Sequence, residues 1–331
     1  MLTHILKRLC YMIILLLIVS FVAFVIIQLP PGDIVTERIA QLQASGSNVD
    51  KALVDSLVKQ YGLDLPFFKQ YLKWMGDIAQ GDLGMSFTYN RPVKTLLAER
   101  LPLTLVLSIS TVIFTYLVAI PIGIHSATHQ YALSDYAATF FGFIGLAVPN
   151  FILALALMLL FNRYFNISVG GLFSPDFLDA QWSFAKLWDL IKHLPVPVIV
   201  VGTAGTAAIV RVMRGCLLDE LQKQYVITAR AKGLYERKLL YRYPVRVAMN
   251  PIVSTIGWIL PGIISGQTIT AIVLGLPTTG PLIYAALARQ DMYLAGSTVM
   301  ILSFLTIIGT FISDILLVTL DPRIRFGQAG R

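Results

Sequence analysis

Long apolar runs alternate with shorter polar segments along the whole chain. Six of the runs contain about 20 residues or more, the length that an α-helix needs to cross the hydrocarbon core of a bilayer. Glycine and proline inside such runs are compatible with membrane helices whose neighbours satisfy the backbone, and small residues let helices pack closely. The pattern predicts an all-α integral membrane protein with a packed bundle of transmembrane helices. The six predicted spans cover residues of about 9–29, 101–124, 137–161, 195–215, 249–274 and 294–320.

The first apolar run has two possible interpretations. Lys7 and Arg8 precede it, as basic residues do in a secretory signal peptide. The apolar region of a signal peptide, however, has about 7–15 residues and ends at a small-residue cleavage site. This run is longer and ends at Leu29-Pro30-Pro31. We therefore interpret it as a retained transmembrane helix.

Composition supports the membrane class. The chain is 56% hydrophobic and 13% charged, whereas soluble domains are about 25% charged on average. The net charge of +8 does not indicate a nucleic-acid partner, because Lys and Arg are spread over the loops that flank the predicted spans. No basic face with interleaved stacking aromatics is present. Cys10 and Cys216 provide neither a disulfide framework nor a metal-binding spacing.

The distribution of positive charge predicts the orientation in the membrane. Cytoplasmic loops are enriched in Lys and Arg. The loop 211–248 is strongly basic, and both the N-terminal segment and the C-terminal tail also carry Lys or Arg. We therefore predict that both termini and this loop are cytoplasmic. The short loop 125–135 should lie on the same side, although it contains neither Lys nor Arg.

The predicted spans divide the chain into three parts. Residues 1–29 form an N-terminal transmembrane helix, residues 30–100 a large extracytoplasmic region with balanced charge, and residues 101–331 a five-helix core that includes the cytoplasmic loop. Within the extracytoplasmic region, the apolar spacing predicts an amphipathic helix over 49–61. A second helix is expected at about 66–79.

Few side chains indicate metal or nucleotide chemistry. His125 and His129 could share one helix face, but no third ligand is near, and a polar loop is the simpler interpretation. The phosphate-binding pattern GxxxxGK[ST] is absent from the chain. If this membrane protein is a transporter driven by ATP, its nucleotide site must therefore lie on another chain. An intramembrane enzyme is disfavoured because no Ser/His/Asp or metal-ligand set lies at membrane depth.

Four residues inside the predicted spans allow a functional and a structural interpretation. Gly142, Gly145 and Pro149 could form a hinge, although tight helix packing is the favoured interpretation. Asp314 could act in transport, or it could pair with a basic residue near the cytoplasmic end of its span. A proton-coupled carrier would normally need more buried acids or histidines than the chain offers.

The segment 225–243 is a basic stretch between apolar runs. Small residues precede Gly233 and bulky residues follow it. The segment is either a solvated loop or a helical docking element. In the second interpretation the small residues let a partner surface approach, and Leu234, Leu239 and Leu240 provide an apolar anchor for a groove.

The basic segment resembles the "EAA" loop motif of binding-protein-dependent ABC transporter permeases, in the form found in the oligopeptide/dipeptide/nickel branch. The matching residues are Thr228-Ala229-Arg230-Ala231-Lys232-Gly233. Further short matches follow in order along the whole chain, and together they are specific. They are Pro31-Gly32-Asp33, Tyr61-Gly62-Leu63-Asp64, Gly81-Asp82-Leu83-Gly84-Met85-Ser86, Leu101-Pro102 with Thr104, Val148-Pro149-Asn150-Phe151 and Asp321-Pro322-Arg323-Ile324.

The resemblance implies a first-permease ("B-type") subunit with the type I importer fold, in a bacterial or archaeal cytoplasmic membrane. This fold has six transmembrane helices, a large extracytoplasmic loop after the first, and a cytoplasmic coupling helix. Such a subunit pairs with a second, homologous permease as a heterodimer. Two cytoplasmic ATPase subunits use ATP and Mg, and an extracytoplasmic solute-binding protein delivers the substrate. The chain itself is then not an enzyme and binds no cofactor. The coupling residues that the resemblance implies are Thr228, Ala229, Arg230, Ala231, Lys232, Gly233 and Leu234.

The implied activity is uptake of oligopeptides or dipeptides by alternating access. Oligosaccharides and nickel are alternative substrates within the same branch, and an ion-coupled secondary carrier is a more remote alternative. Two departures from the family pattern are present. First, Ile227 occupies the acidic position of the loop motif. Second, many peptide permeases have an acid followed by the pattern Phe-x-x-Pro-Gly-x-Gly, and the segment 270–280 lacks both this acid and the first glycine of the pattern. The second departure bears on recognition of the substrate or the binding protein.

Overall fold

The structure is a computed structural model of the chain. It describes residues 2–28, 59, 64–86, 88–166, 169–178, 180–255, 267–289 and 291–320. These residues are mostly helical, and they divide into two compact units, Met1–Pro102 with Thr278–Ile307 and Leu103–Pro277 with Ile308–Arg331. The described elements are α1 (Leu2–Gln28), α2 (Phe67–Ala79), β1 (Met85–Ser86), β2 (Arg91–Pro92), α3 (Val93–Thr128), α4 (Leu133–Ala147), α5 (Asn150–Phe165), a 3-10 turn (Pro175–Phe177), α6 (Phe184–His193), α7 (Pro195–Leu221), α8 (Gln224–Ala231), α9 (Glu236–Arg242), α10 (Pro244–Ser254), α11 (Thr268–Val273), α12 (Thr279–Ala288) and α13 (Met292–Leu320).

Two apolar clusters hold the first unit together. One joins α1 to α2 and α13 through Phe24, Tyr71, Trp74 and Met300. The hydroxyl of Tyr71 lies 2.7 Å from Oγ of the fully buried Ser20, so that each polar group has a partner. The helix expected at about 66–79 is confirmed, since α2 extends over Phe67–Ala79. The other cluster joins the start of α3 to α12 and α13, and its buried residues are Val93, Leu96, Leu97, Leu282, Ala286, Leu294 and Ala295.

A buried aspartate fixes the start of α13. Asp291 is 1% exposed and accepts hydrogen bonds from Ser86 Oγ at 2.6 Å, from the Thr88 N–H at 3.0 Å and from the Leu294 N–H at 3.2 Å. The last bond satisfies a free N–H in the first turn of α13, and the other two tie the β1–β2 ribbon to it. At Gly84, where φ is +76°, a Cβ would lie 2.4 Å from a ring of α13, so only glycine allows this approach.

The second unit is built around α7, which packs against α4, α5 and α10. An apolar cluster surrounds each half of this helix. The buried residues around the first half are Leu103, Leu107, Ala154, Leu172, Phe173, Leu190, Val198, Val200, Ala271, Leu274 and Leu276. Those around the second half are Ala119, Ile124, Ala127, Ile209, Val210, Met213, Leu217, Val245, Ala248 and Ile252. Helices α3 and α10 are therefore fixed to the second half of α7.

The predicted third span is not one straight helix, because α4 and α5 meet with a bend of 102°. Pro149 causes the break: it has no N–H for the helical ladder, and it favours the extended conformation seen at Val148 (φ −84°, ψ 119°). The packing role of Gly145 is confirmed, since a Cβ there would lie 3.0 Å from Cγ2 of Thr203 on α7. The predicted span 137–161 therefore corresponds to two helices separated by a sharp bend.

Three described helices are long and apolar enough to cross a membrane: α3, α7 and the part of α13 from Tyr293 to Ile312. The bent pair α4–α5 adds a fourth if it is counted as one span, and α1 contains the shorter apolar stretch Cys10–Val25. The chain is therefore a mostly helical membrane protein. The middle of the predicted fifth span (249–274), most of the predicted helix 49–61 and the side chain of Asp314 lie outside the described residues.

Gly123 brings α3 so close to α7 that a side chain does not fit between them. A Cβ at this position would lie 2.6 Å from Cβ of the fully buried Met213 and 3.2 Å from the carbonyl oxygen of Val210. We expect Gly123→Ala to destabilise the protein by about 1–3 kcal/mol, as over-packing does elsewhere. The Tm of the purified protein measures this.

The matched control is Gly142→Ala in α4, where the new Cβ would have no other atom within 4 Å. It should leave the Tm unchanged or raise it, because alanine favours helix formation. If both variants had the wild-type Tm, the close approach of α3 and α7 would be contradicted.

Candidate docking surface

The end of α8 is closed by a Schellman motif, which turns the chain at Gly233. The Gly233 N–H donates to the Arg230 carbonyl at 3.0 Å, and the Leu234 N–H donates to the Ala229 carbonyl at 3.4 Å. Gly233 has a φ of +78°, in the left-handed region that a residue without Cβ adopts without strain. The two bonds satisfy carbonyls at the end of the helix that would otherwise have no partner. The backbone of the turn is thereby fixed.

The inner face of the turn is apolar and packs against the helix that follows it. Val226, Ala229 and Leu239 are buried together, and Leu234 packs against them. Leu240 packs instead on the cluster around the second half of α7. The prediction that the three leucines anchor the segment in a partner's groove is therefore wrong for Leu239, which is fully buried in its own chain. The leucines therefore pack inside this chain and position the turn.

The outer face carries small and polar side chains flanked by two larger apolar ones. Five of the seven predicted coupling residues are exposed, whereas Ala229 is buried and Leu234 is half-buried. Two exposed neighbours were not among the predicted set: Ile227 and Tyr235, whose exposed fractions are 47% and 76%. Ile227 precedes Ala231 by four residues, so both lie on one helix face, and this spacing is a signal that the sequence offered. We define the docking surface as Ile227, Thr228, Arg230, Ala231, Lys232, Gly233 and Tyr235.

An ion pair spans the turn on this outer face. Arg230 donates from Nε to Glu236 Oε1 at 2.5 Å and from Nη2 to Oε2 at 3.2 Å. The hydrogen bond from Arg230 and its positive charge lower the pKa of Glu236. Both side chains are largely exposed, so the pair contributes little to stability but constrains both side chains. Lys232 and the basic residues of α9 supply the remaining positive charge of the surface.

A short connection joins the docking surface to α7. Helix α7 ends at Leu221, and α8 begins three residues later at Gln224. The Tyr225 hydroxyl donates a hydrogen bond back to the Glu220 carboxylate. Partial burial and this carboxylate raise the pKa of Tyr225, so the donor stays protonated. This hydrogen bond ties the first turn of α8 to the last turn of α7.

Sequence reasoning missed a second link, which joins α4 to α7. Arg214 donates to both carboxylate oxygens of Asp135, at 2.8 Å in each case. Asp135 is 3% exposed and also accepts hydrogen bonds from the Ser126 hydroxyl and from the Tyr131 N–H. A bidentate arginine–carboxylate pair of this kind is stronger and more directional than a neutral hydrogen bond. The sequence offered one signal for this pair. Loop 125–135 contains a single acid and neither Lys nor Arg, and the predicted topology places it on the same side of the membrane as the basic loop 211–248.

The histidines do not form a metal site in the described part of the chain. The rings of His125 and His129 stack with their centres 4.4 Å apart, and Nε2 of His125 lies 3.0 Å from Oγ of Ser134. Among the described residues, no group of three or more His, Cys, Asp or Glu side chains could hold a metal ion.

Gly233→Ala tests whether the left-handed turn fixes the docking surface. A side chain in this region of backbone space costs about 1–2 kcal/mol. We expect the amides of the peptide 225–243 to exchange hydrogen about 5 to 30 times faster in the variant, as a loss of this size implies. Hydrogen–deuterium exchange with mass spectrometry measures this.

The control for this experiment is Gly215→Ala, at an exposed position of α7 with no other atom within 4 Å of the new Cβ. It should leave exchange in the same peptide unchanged. Wild-type exchange in the Gly233→Ala protein would show that the turn does not depend on the glycine.

Similarity to characterised families extends over almost the whole chain. Residues 119–326 match the family described as "Binding-protein-dependent transport system inner membrane component", and residues 1–110 match the corresponding N-terminal family of such membrane components. The oligopeptide transport system permease protein AppB of Bacillus subtilis (strain 168) is 33% identical over 327 residues, which cover 98% of this chain and 100% of that protein.

Two further relatives are also similar to this chain over almost their whole length. The dipeptide transport system permease protein DppB of Escherichia coli (strain K12) is 29% identical over 341 residues, covering 98% of this chain and 99% of that protein. The peptidoglycan transport system permease protein YejB of Agrobacterium fabrum is 29% identical over 357 residues, covering 98% of both. The chain therefore belongs to the family of binding-protein-dependent transport system inner membrane components, and it is a multi-pass permease subunit of an ABC importer.

Proposed function

We propose that this chain forms half of the translocation pathway of an ATP-driven importer of oligopeptides or dipeptides. The names of the relatives in Bacillus subtilis and Escherichia coli support a peptide substrate. Oligosaccharides and nickel are the alternative substrates within the branch that the sequence resembles. The departure in segment 270–280 is one place where the substrate preference of this chain can differ from that of other peptide permeases.

In the proposed assembly a second, homologous permease completes the pathway, and an extracytoplasmic solute-binding protein delivers the substrate. Two cytoplasmic ATPase subunits bind ATP and Mg, so that this chain contributes no catalytic residue and no cofactor site. The proposal includes six transmembrane helices with both termini in the cytoplasm. The excess of Lys and Arg in loop 211–248 supports this orientation.

The observation that carries the proposal is the fixed turn at the end of α8. Its backbone is set by the Schellman bonds, its inner face is anchored on Leu239, and its exposed outer face presents small side chains around Ala231. A rigid element with small residues can seat deeply in a groove of a partner without a large entropic cost. We assign the docking surface to the contact with an ATPase subunit.

The contacts of α8 provide a route for coupling. Tyr225 and Glu220 join α8 to the end of α7, and the Asp135–Arg214 pair joins α7 to α4. When ATP closes the two ATPase subunits, α8 moves with the groove in which it sits, and α7 and α4 move with it. The permease then changes from a pathway open to the cytoplasm to one open to the opposite side. ATP can drive this change because its binding favours one of the two states of the assembly.

Ala231→Arg tests the assignment. Ala231 is exposed at the centre of the docking surface, and arginine is a good helix former, so the variant should fold and insert normally. We expect its abundance in the membrane to equal that of the wild type, with loss of most substrate uptake and reduced recovery of the ATPase subunits in a detergent pull-down.

The matched control is Ala98→Arg, an exposed alanine near the start of α3 and outside the docking surface. It should retain uptake and ATPase recovery. Full uptake together with full ATPase recovery in the Ala231→Arg variant would overturn the assignment.

A further inference from the structure

The helix α6 has its polarity reversed relative to a helix on a water-exposed surface. Four large apolar residues follow the i, i+3, i+4, i+7 spacing that normally faces a protein core. All four are exposed, with exposed fractions of 82% at Phe184, 45% at Leu187, 54% at Trp188 and 47% at Ile191. We call these four residues the outer face of α6. The opposite face carries charged residues and is buried.

The buried charges of α6 have partners inside the protein. Lys186 is 7% exposed, and its Nζ donates to the Ala180 carbonyl at 2.6 Å. The same ammonium lies 5.0 Å from the ring centre of Phe173 and 5.4 Å from that of Trp182, which is the range of cation–π contacts. The internal partners mean that Lys186 does not need to face water.

Asp189 also holds the buried face of α6 in place. Its carboxylate accepts hydrogen bonds from the N–H and from the hydroxyl of Ser174, both at 2.7 Å. Although burial alone would raise the pKa of Asp189, these bonds and the nearby His193 and Lys192 lower it, so the group is charged. Rotating α6 to expose its polar face would break these bonds and those of Lys186. The orientation of the helix is therefore set, with the apolar residues outward.

The position of α6 in the chain indicates what covers the outer face. The helix ends at His193, Leu194 keeps α-helical dihedral angles (φ −61°, ψ −38°), and α7 begins at Pro195. Helix α7 is long and apolar enough to cross a membrane. Since α6 adjoins the start of α7, it lies near the level at which the chain enters the hydrocarbon. Tryptophan is enriched at this level of membrane proteins, and an amphipathic helix can lie there in the plane of the interface.

We propose that α6 lies in the interface of the phospholipid bilayer, with its outer face against the acyl chains. Two large apolar residues just before the helix are exposed as well, Leu178 at 58% and Trp182 at 63%. The exposed Lys192 adjoins this surface and can extend its ammonium toward the lipid phosphates. Residues 180–194 are then attached to the membrane surface.

Spin labels on the outer face test this proposal. Leu187→Cys and Ile191→Cys are introduced one at a time into the full transporter, in a chain in which Cys10 and Cys216 are replaced by alanine, and the complex is placed in phospholipid nanodiscs. Power-saturation electron paramagnetic resonance compares the accessibility of each label to oxygen, which concentrates in lipid, and to a water-soluble nickel chelate. A label at Gln130→Cys, in an exposed turn between α3 and α4, is the water-accessible reference.

We expect the oxygen-to-nickel accessibility ratio at both positions to exceed the ratio at the reference by several-fold. A ratio equal to the reference would show that the outer face lies in water and would overturn the proposal. Immobilised labels with low accessibility to both reagents would also overturn it, because the face would then be covered by the second permease or the solute-binding protein. Both positions are exposed in the chain, so the small cysteine side chain disturbs no packed core, and the two labels check each other.

Discussion

The structure depends on one constraint: within a bilayer each backbone N–H and C=O must find a partner in the protein. Long helices meet this requirement inside the bilayer. Helix ends outside it also leave N–H and C=O groups without intrahelical partners, and some of the described ends have specific substitutes. At the end of α8 the Schellman bonds around Gly233 satisfy the last carbonyls. At the start of α13 the buried carboxylate of Asp291 accepts the N–H of Leu294. At the α4–α5 bend, Pro149 removes an N–H from the ladder.

The helix α7 connects the two surfaces to which we assign partners. Its first residue follows α6, whose outer face we assign to lipid, and its last turn is joined by Glu220 and Tyr225 to the docking surface. Between these ends α7 packs against α4, α5 and α10, and its Arg214 forms a partly buried ion pair with Asp135. Such contacts suit α7 to transmit the displacement of α8 that we propose.

The membrane class and helix α2 could be predicted from the sequence. The low charge content and the long apolar runs indicate a membrane protein. Local patterns of this kind report on neighbours in the chain. They predicted α2 for the same reason. The turn at Gly233, in contrast, was not predicted and is seen only in the structure.

The remaining features depend on contacts between residues far apart in the chain. Asp135 and Arg214 are separated by 79 positions, and no local pattern indicates their pairing. Leu239 has the same apolar character whether it enters a partner or its own core, so only the packing shows that it is buried. The apolar spacing in α6 would ordinarily be assigned to the core. Its outward direction follows from the internal partners of Lys186 and Asp189, which the sequence does not reveal.

The central claim is that the exposed face at the end of α8 seats on an ATPase subunit. Photo-crosslinking from a benzophenone side chain at Thr228, in the active transporter in native membranes, tests this most directly, with the same group at Ala98 as reference. We expect an adduct with the ATPase subunit from Thr228, at a yield that changes when a non-hydrolysable ATP analogue is added, and no such adduct from Ala98. Absence of the adduct from Thr228 in a transporter that retains uptake would contradict the claim.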